Sequence, residues 1–166
     1  MKLHHVLTIG SLFVLHLSSC NTFVPDPETA YGPVLMERSQ LEKSVVIVAA
    51  RKLVHPGKIY YYNNKVYINE KNEGVHIVDN TDPKQSVFKS FLTIPGCIDI
   101  AVRNGILYAD NAVDLVAIDL NTGQVTERIP QSFNELLPPD LTYLPQAFDA
   151  THRPENTVIV AWEQKK

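Results

Sequence analysis

The sequence predicts an all-β fold made of four-stranded antiparallel units, on three observations. Short runs rich in β-branched and aromatic residues recur between turn-forming residues. The chain matches itself at a shift of 40, with 64–70 over 104–110 and 74–79 over 114–119, without a gap. Each matched segment closes on an acid before a polar turn, Asp79 and Asp119. A period near 40 with four short strands per unit is the signature of a β-propeller blade, so the expected architecture is a partial, propeller-like array.

The elements follow in chain order. Residues 1–5 carry Lys2 as their only full charge, and 6–17 form an apolar run that is too short to span a bilayer, which needs about 20 residues. This reads as a signal peptide over 1–19, ending in the small residues Ser18 and Ser19. Leu17-Ser18-Ser19-Cys20 resembles a bacterial lipobox, which implies cleavage between Ser19 and Cys20 and lipidation of Cys20. An ordinary secreted protein and a buried core helix are the alternatives. Residues 20–33, with Pro25, Pro27 and Pro33, read as an extended tether, and 34–166 as the domain.

Within the domain, 37–44 suggests one or two helical turns and 45–49 a short apolar strand. The first unit has strands at 58–62, 65–69, 74–79 and 87–94; the second at 98–103, 105–109, 115–120 and 125–129. The strand 75–78 is apolar or nearly so on both faces, as expected between packed blades. Residues 131–145 hold three prolines and read as a long loop over an edge, with Phe133, Leu136 and Leu137 tucked beneath it. Residues 146–150 and 157–162 suggest the first two strands of a third unit.

Composition closes off several classes. With 166 residues, 45% hydrophobic and 20% charged, the chain is neither disordered nor collagen-like, and its 2 cysteines make no disulfide scaffold. If Cys20 carries lipid, Cys97 is alone and reads as a small buried apolar residue. A net charge of -3 offers nothing to a polyanion, so nucleic acid is not an expected partner.

The segment 74–83, Gly-Val-His-Ile-Val-Asp-Asn-Thr-Asp-Pro, resembles the LVIVD repeat, and 114–119 resembles a second copy. The connector 94–102 is similar to that between repeats in LVIVD-repeat lipoproteins of Bacteroidetes-type bacteria. The resemblance spans roughly 37–162. It implies a β-propeller on an envelope lipoprotein with no assigned chemistry, and a chain shorter than the family's.

No phosphate loop, zinc-protease motif, Cys-x-x-Cys or nucleophile elbow is present, and no cofactor or metal is expected. His76 lies mid-strand among apolar residues and reads as packing; His55 and His152 are far from it in sequence. Asp79 and Asp119 read as structural acids that bond the turn backbone. The turns 69–73 and 110–114 offer oxygens that calcium accepts, but without the spacing of a known loop, and are expected to be solvated. Tyr60, Tyr61, Tyr62 and Tyr67 offer a face for a sugar ring, with at least half of the cluster consumed by packing; Trp162 is placed to cap the last sheet.

Two function classes follow. The first is a non-catalytic binding or scaffold module in the bacterial envelope, anchored to the outer membrane by its lipid, with a protein or glycan partner. The second is an envelope enzyme acting on polysaccharide, with Glu70 and Asp110 as acid and base. With two full units and a part of a third, one sheet edge is open and self-association through it is expected.

Overall fold

The computed structural model describes residues 28–166; the expected signal peptide 1–19, the expected cleavage point at Ser19, Cys20 and the expected tether as far as residue 27 lie outside the described residues. The strands in order are β1 (Tyr31–Glu37), β2 (Val46–Ala49), β3 (Pro56–Tyr62), β4 (Lys65–Glu70), β5 (Gly74–Asp79) and β6 (Val87–Thr93). They continue as β7 (Ile100–Arg103), β8 (Ile106–Asn111), β9 (Asp114–Asp119), β10 (Val125–Ile129) and β11 (Thr157–Gln164). One helical turn, α1 (Arg38–Leu41), follows β1.

The fold is all-β and propeller-like. β3 to β6 form one antiparallel meander and β7 to β10 another, each a four-stranded blade joined by consecutive hairpins. β2 adds a fifth strand on the outer edge of β6, pairing Val46 with Thr93 and Ala49 with Ser90. Left-handed pairs turn the first hairpin of each blade, Asn63 and Asn64 in one, Asn104 and Gly105 in the other. Asn and Gly adopt positive φ at little cost, and such two-residue turns match the strand twist.

The two blades are not related by a uniform shift of 40. Tyr67 pairs with Ile77, whereas Leu107 pairs with Ile118 and Tyr108 with Ala117. The cause is the next hairpin, which spends Lys71, Asn72 and Glu73 in its turn in the first blade but only Ala112 and Val113 in the second. Through β3 and β4 the structural shift is therefore 41, so that Asn63 matches Asn104 and Tyr67 matches Tyr108. A one-residue difference in register reverses the face of every side chain on a strand.

The main core lies between the blades and includes Tyr67, Val75, Leu92 and Ile94 from the first and Ile100, Val102, Leu107, Val116 and Ile118 from the second. Cys97, on the connector between blades, is fully buried in it. β5 is buried on both faces, as its unbroken apolar run implies.

The remaining elements depart from the sequence expectation. Residues 146–148 form a 3-10 turn instead of a strand; they follow Pro145 and lack β-branched residues. β11 pairs with β1, from Tyr31↔Gln164 to Glu37↔Thr157, so the third sheet joins the two ends of the described region and is not a third blade. The strand accordingly begins at Tyr31, inside the stretch expected as tether. Val34, Met36, Val158 and Val160 pack on Leu41 and on Ala112 and Val113, at the end of the second blade. Phe133 and Leu137 are exposed and not tucked beneath the loop. Trp162 donates its indole N–H to the Leu136 carbonyl at 3.0 Å and meets Phe148 edge-on, which pins the proline-rich loop to the third sheet.

Candidate functional site

The chemistry-bearing residues gather where hairpin turns meet the connectors entering each blade. Glu70 ends β4 and is fully buried. Its carboxylate accepts the backbone N–H groups of Val54 and His55 and lies 2.9 Å from His76 Nε2. Burial raises its proton affinity, but those donors outweigh that and hold its carboxyl below the ordinary value. His76 stands between Phe88 and Phe91, edge-on to both. With a proton on Nε2 for the carboxylate, Nδ1 is left as a buried acceptor without a partner. The expectation of a packing histidine holds, with a carboxylate partner that the sequence did not disclose.

Asp110 does comparable work in the second blade. It accepts Ile98 N–H at 2.9 Å and Asp99 N–H at 2.8 Å, which fixes the connector into β7. Burial is the largest influence on its carboxyl and leaves it above the ordinary value. Glu70 and Asp110, the acid and base of the enzymatic reading, thus serve separate connectors, and Glu70 has no exposed surface to offer a substrate.

Asp114 opens β9 and is fully buried. It takes a bidentate pair from Arg38, a bond from Arg128 at 2.7 Å and the Gln131 N–H at 3.2 Å. Of the turns expected to be solvated, the first exposes Lys71 and Glu73, whereas Asn69, Glu70, Asn111 and Asp114 have no exposed surface. Their polar groups anchor connectors: Asn69 Nδ2 reaches the Cys97 carbonyl at 3.2 Å and Asn111 Nδ2 the Pro95 carbonyl at 2.7 Å. These bonds use the amide nitrogens, and Asn69 Oδ1 and Asn111 Oδ1 are buried without a hydrogen-bond partner. His55, Glu70 and Glu73 do bring potential ligand atoms within 4.8 Å of one another. Arg51, however, already neutralises Glu73, and Glu70 is committed to its own donors.

Asp79 and Asp119 act as their positions suggest. Asp79 accepts Thr81 N–H at 3.0 Å, and Asp119 accepts Asn121 N–H at 2.8 Å and Thr122 N–H at 2.9 Å. These turn bonds hold both carboxyls below their ordinary value.

A cleft of about 670 Å³ opens where the connector at His55, the turn at Lys71 and Glu73, and β11 at Trp162 and Glu163 come together. Charges of both signs and an indole line it. The tyrosine cluster divides by face: Tyr67 is buried, Tyr60 and Tyr62 pack on the inter-blade core, and Tyr61 is 59% exposed. Cys97 is a free thiol whose proton affinity burial pushes well up, which leaves it inert.

No family model matches the chain, and no curated protein does. Among solved structures the chain is similar to the glutaminyl cyclase of Myxococcus xanthus, at 18% identity and a TM-score of 0.40. That match covers 50% of this chain and 38% of the cyclase.

Proposed function

We propose that the protein is a non-catalytic binding or scaffold module of the bacterial envelope, held at the outer membrane through a lipid on Cys20 and related to the LVIVD-repeat lipoproteins. The observation that supports this best is the commitment of its reactive side chains. Glu70, His76 and Asp114 are fully buried and bonded within the fold, so they hold connectors and strands and do not face a substrate. A surface open for recognition is the cleft beside Lys71 and Trp162, walled by two sheets. Clefts between packed elements are common binding sites, and this one offers a protein or glycan partner both charges and an aromatic edge.

The test has two arms. Mass spectrometry of the mature amino terminus reads an acylated Cys20; a free Asn21 or an intact Met1 overturns the anchor. A pull-down of the native lipoprotein from membranes, set against Lys71→Glu, reads the cleft. Loss of a co-purifying partner in the variant, with an unchanged melting curve, supports it. Turnover of an envelope polysaccharide by the purified protein overturns the non-catalytic reading.

A further inference from the structure

The geometry points to head-to-tail self-assembly of this chain through sheet faces, with the packing between its own blades repeated between copies. The corrected register identifies both halves of that contact. Within the chain, the first blade presents Tyr67, Val75 and Ile77, and the second covers them with Ile100, Val102, Leu107 and Val116. Under the shift of 41 through the first two strands and 40 on the third, the receiving set recurs on the outer face of the second blade. There Tyr108 takes the place of Tyr67, Leu115 that of Val75 and Ala117 that of Ile77.

The covering set recurs as well. Ile59 and Tyr61 on β3 pair with Ile68 and Val66, as Ile100 and Val102 on β7 pair with Ala109 and Leu107. The contrast is plain at two of the repeated positions, which are buried inside the chain and open outside it. Tyr67 is 2% exposed and Tyr108 39%; Val102 is 4% exposed and Tyr61 59%. The half of this face on β5 and β6 is already closed, where Arg51 lies over the Phe91 ring, so the contact runs along β3 and β4.

The receiving face is also hollow. Tyr108 and Leu115 border two adjoining pockets of about 320 and 290 Å³ on the outer side of the second blade, with Ile106 and Ala117 in the second of them. The occupant is a second copy, because the surface shaped to cover the face at Tyr108 is displayed by the same molecule at Tyr61. An interface between two different patches is heterologous, so it propagates until it closes or continues as a filament. Propellers close with about 4 to 8 blades, so the two blades of the described residues give rings of about two to four copies. This differs from pairing at a strand edge, because the contact buries side chains and adds no backbone ladder.

The experiment uses the full lipidated chain in density-matched mild detergent, read by sedimentation over a range of concentrations. The unaltered protein is expected as a concentration-dependent oligomer. Tyr108→Glu and Tyr61→Glu should each sediment as a monomer, because each removes one half of every contact. Mixing the two variants should restore a dimer and nothing larger, since one intact face of each kind remains. Circular dichroism melts show that both variants fold; should either fail to, Leu115→Lys and Ile59→Lys replace them at the same faces. A monomeric unaltered protein at high concentration overturns the proposal. So does a Tyr61→Glu variant that still dimerises, because the contact is then face to like face.

Discussion

The Arg38 guanidinium grips the Asp114 carboxylate with both arms, at 2.9 and 2.6 Å, and so ties the turn after β1 to the start of β9. Arg128 closes on the same carboxylate from β10. Removing one member of a buried ion cluster leaves the others uncompensated. Because Arg38 keeps a quarter of its side-chain surface in water, Asp114→Asn should cost about 2–3 kcal/mol, below the usual range for a fully buried pair. Urea denaturation at neutral pH checks it. Burial pushes the Asp114 carboxyl up, but the two arginines and Gln131 N–H bring it below its ordinary value. Its stabilisation is therefore complete above the unfolded value of about 3.9 and is lost as pH falls through the lower folded one.

Asp110 should behave in the opposite sense. Its folded proton affinity is raised, chiefly by burial, so stability falls as pH rises from the unfolded value toward the raised folded one. Asp110→Asn keeps an acceptor for the Ile98 and Asp99 N–H groups and removes the charge. In the first blade, Asn69 occupies the matching position. The variant should be as stable as the parent at pH 3 and equally or more stable at pH 7, read from melting temperatures across that range.

Glu70 serves three donors at once. Glu70→Ala should cost about 2–4 kcal/mol, because it strands two backbone N–H groups and the His76 imidazole in the interior. Glu70→Gln, which keeps one acceptor oxygen, should cost about half as much. Chemical denaturation of the two variants checks the ratio.

Gly96 has φ +78, and a Cβ there would stand 2.7 Å from the Ala112 backbone. Gly96→Ala therefore combines a left-handed strain with a clash between the inter-blade connector and the β8–β9 turn. It should cost about 2–4 kcal/mol by equilibrium unfolding, whereas Gly105→Ala, with open space around it, should show the left-handed penalty of about 1–2 kcal/mol alone.

Much of this fold was legible because its strands are local events. β5 and β10 fall where β-branched runs and turn chemistry place them, and Asn104-Gly105 declares its hairpin outright. The register between the blades was not legible, because one residue more or less in the turn after Glu70 leaves the composition of both strands intact. Nor was the pairing of Tyr31 with Gln164: a strand's pattern shows that it wants a partner, not which distant segment supplies it. The candidate site misled for a related reason. Glu70 and Asp114 carry the residue type of exposed turns, and their burial depends on donors at Val54, Arg38 and Arg128 that lie far away in sequence. Asp79 and Asp119 were readable because their donors lie within three residues.

The β1–β11 pair has a mechanical consequence. Since Tyr31 faces Gln164, a pull applied between the two ends of the described region meets neighbouring points on one two-stranded sheet. The strands would open one rung at a time from that end, as a zipper does, instead of sliding past one another under a shared load. The blades, whose hairpins lie off this line of force, would stay folded while the third sheet gives way. The domain thus has a built-in order of yielding, in which the sheet nearest the amino-terminal stretch is the fuse and the paired blades are the part protected.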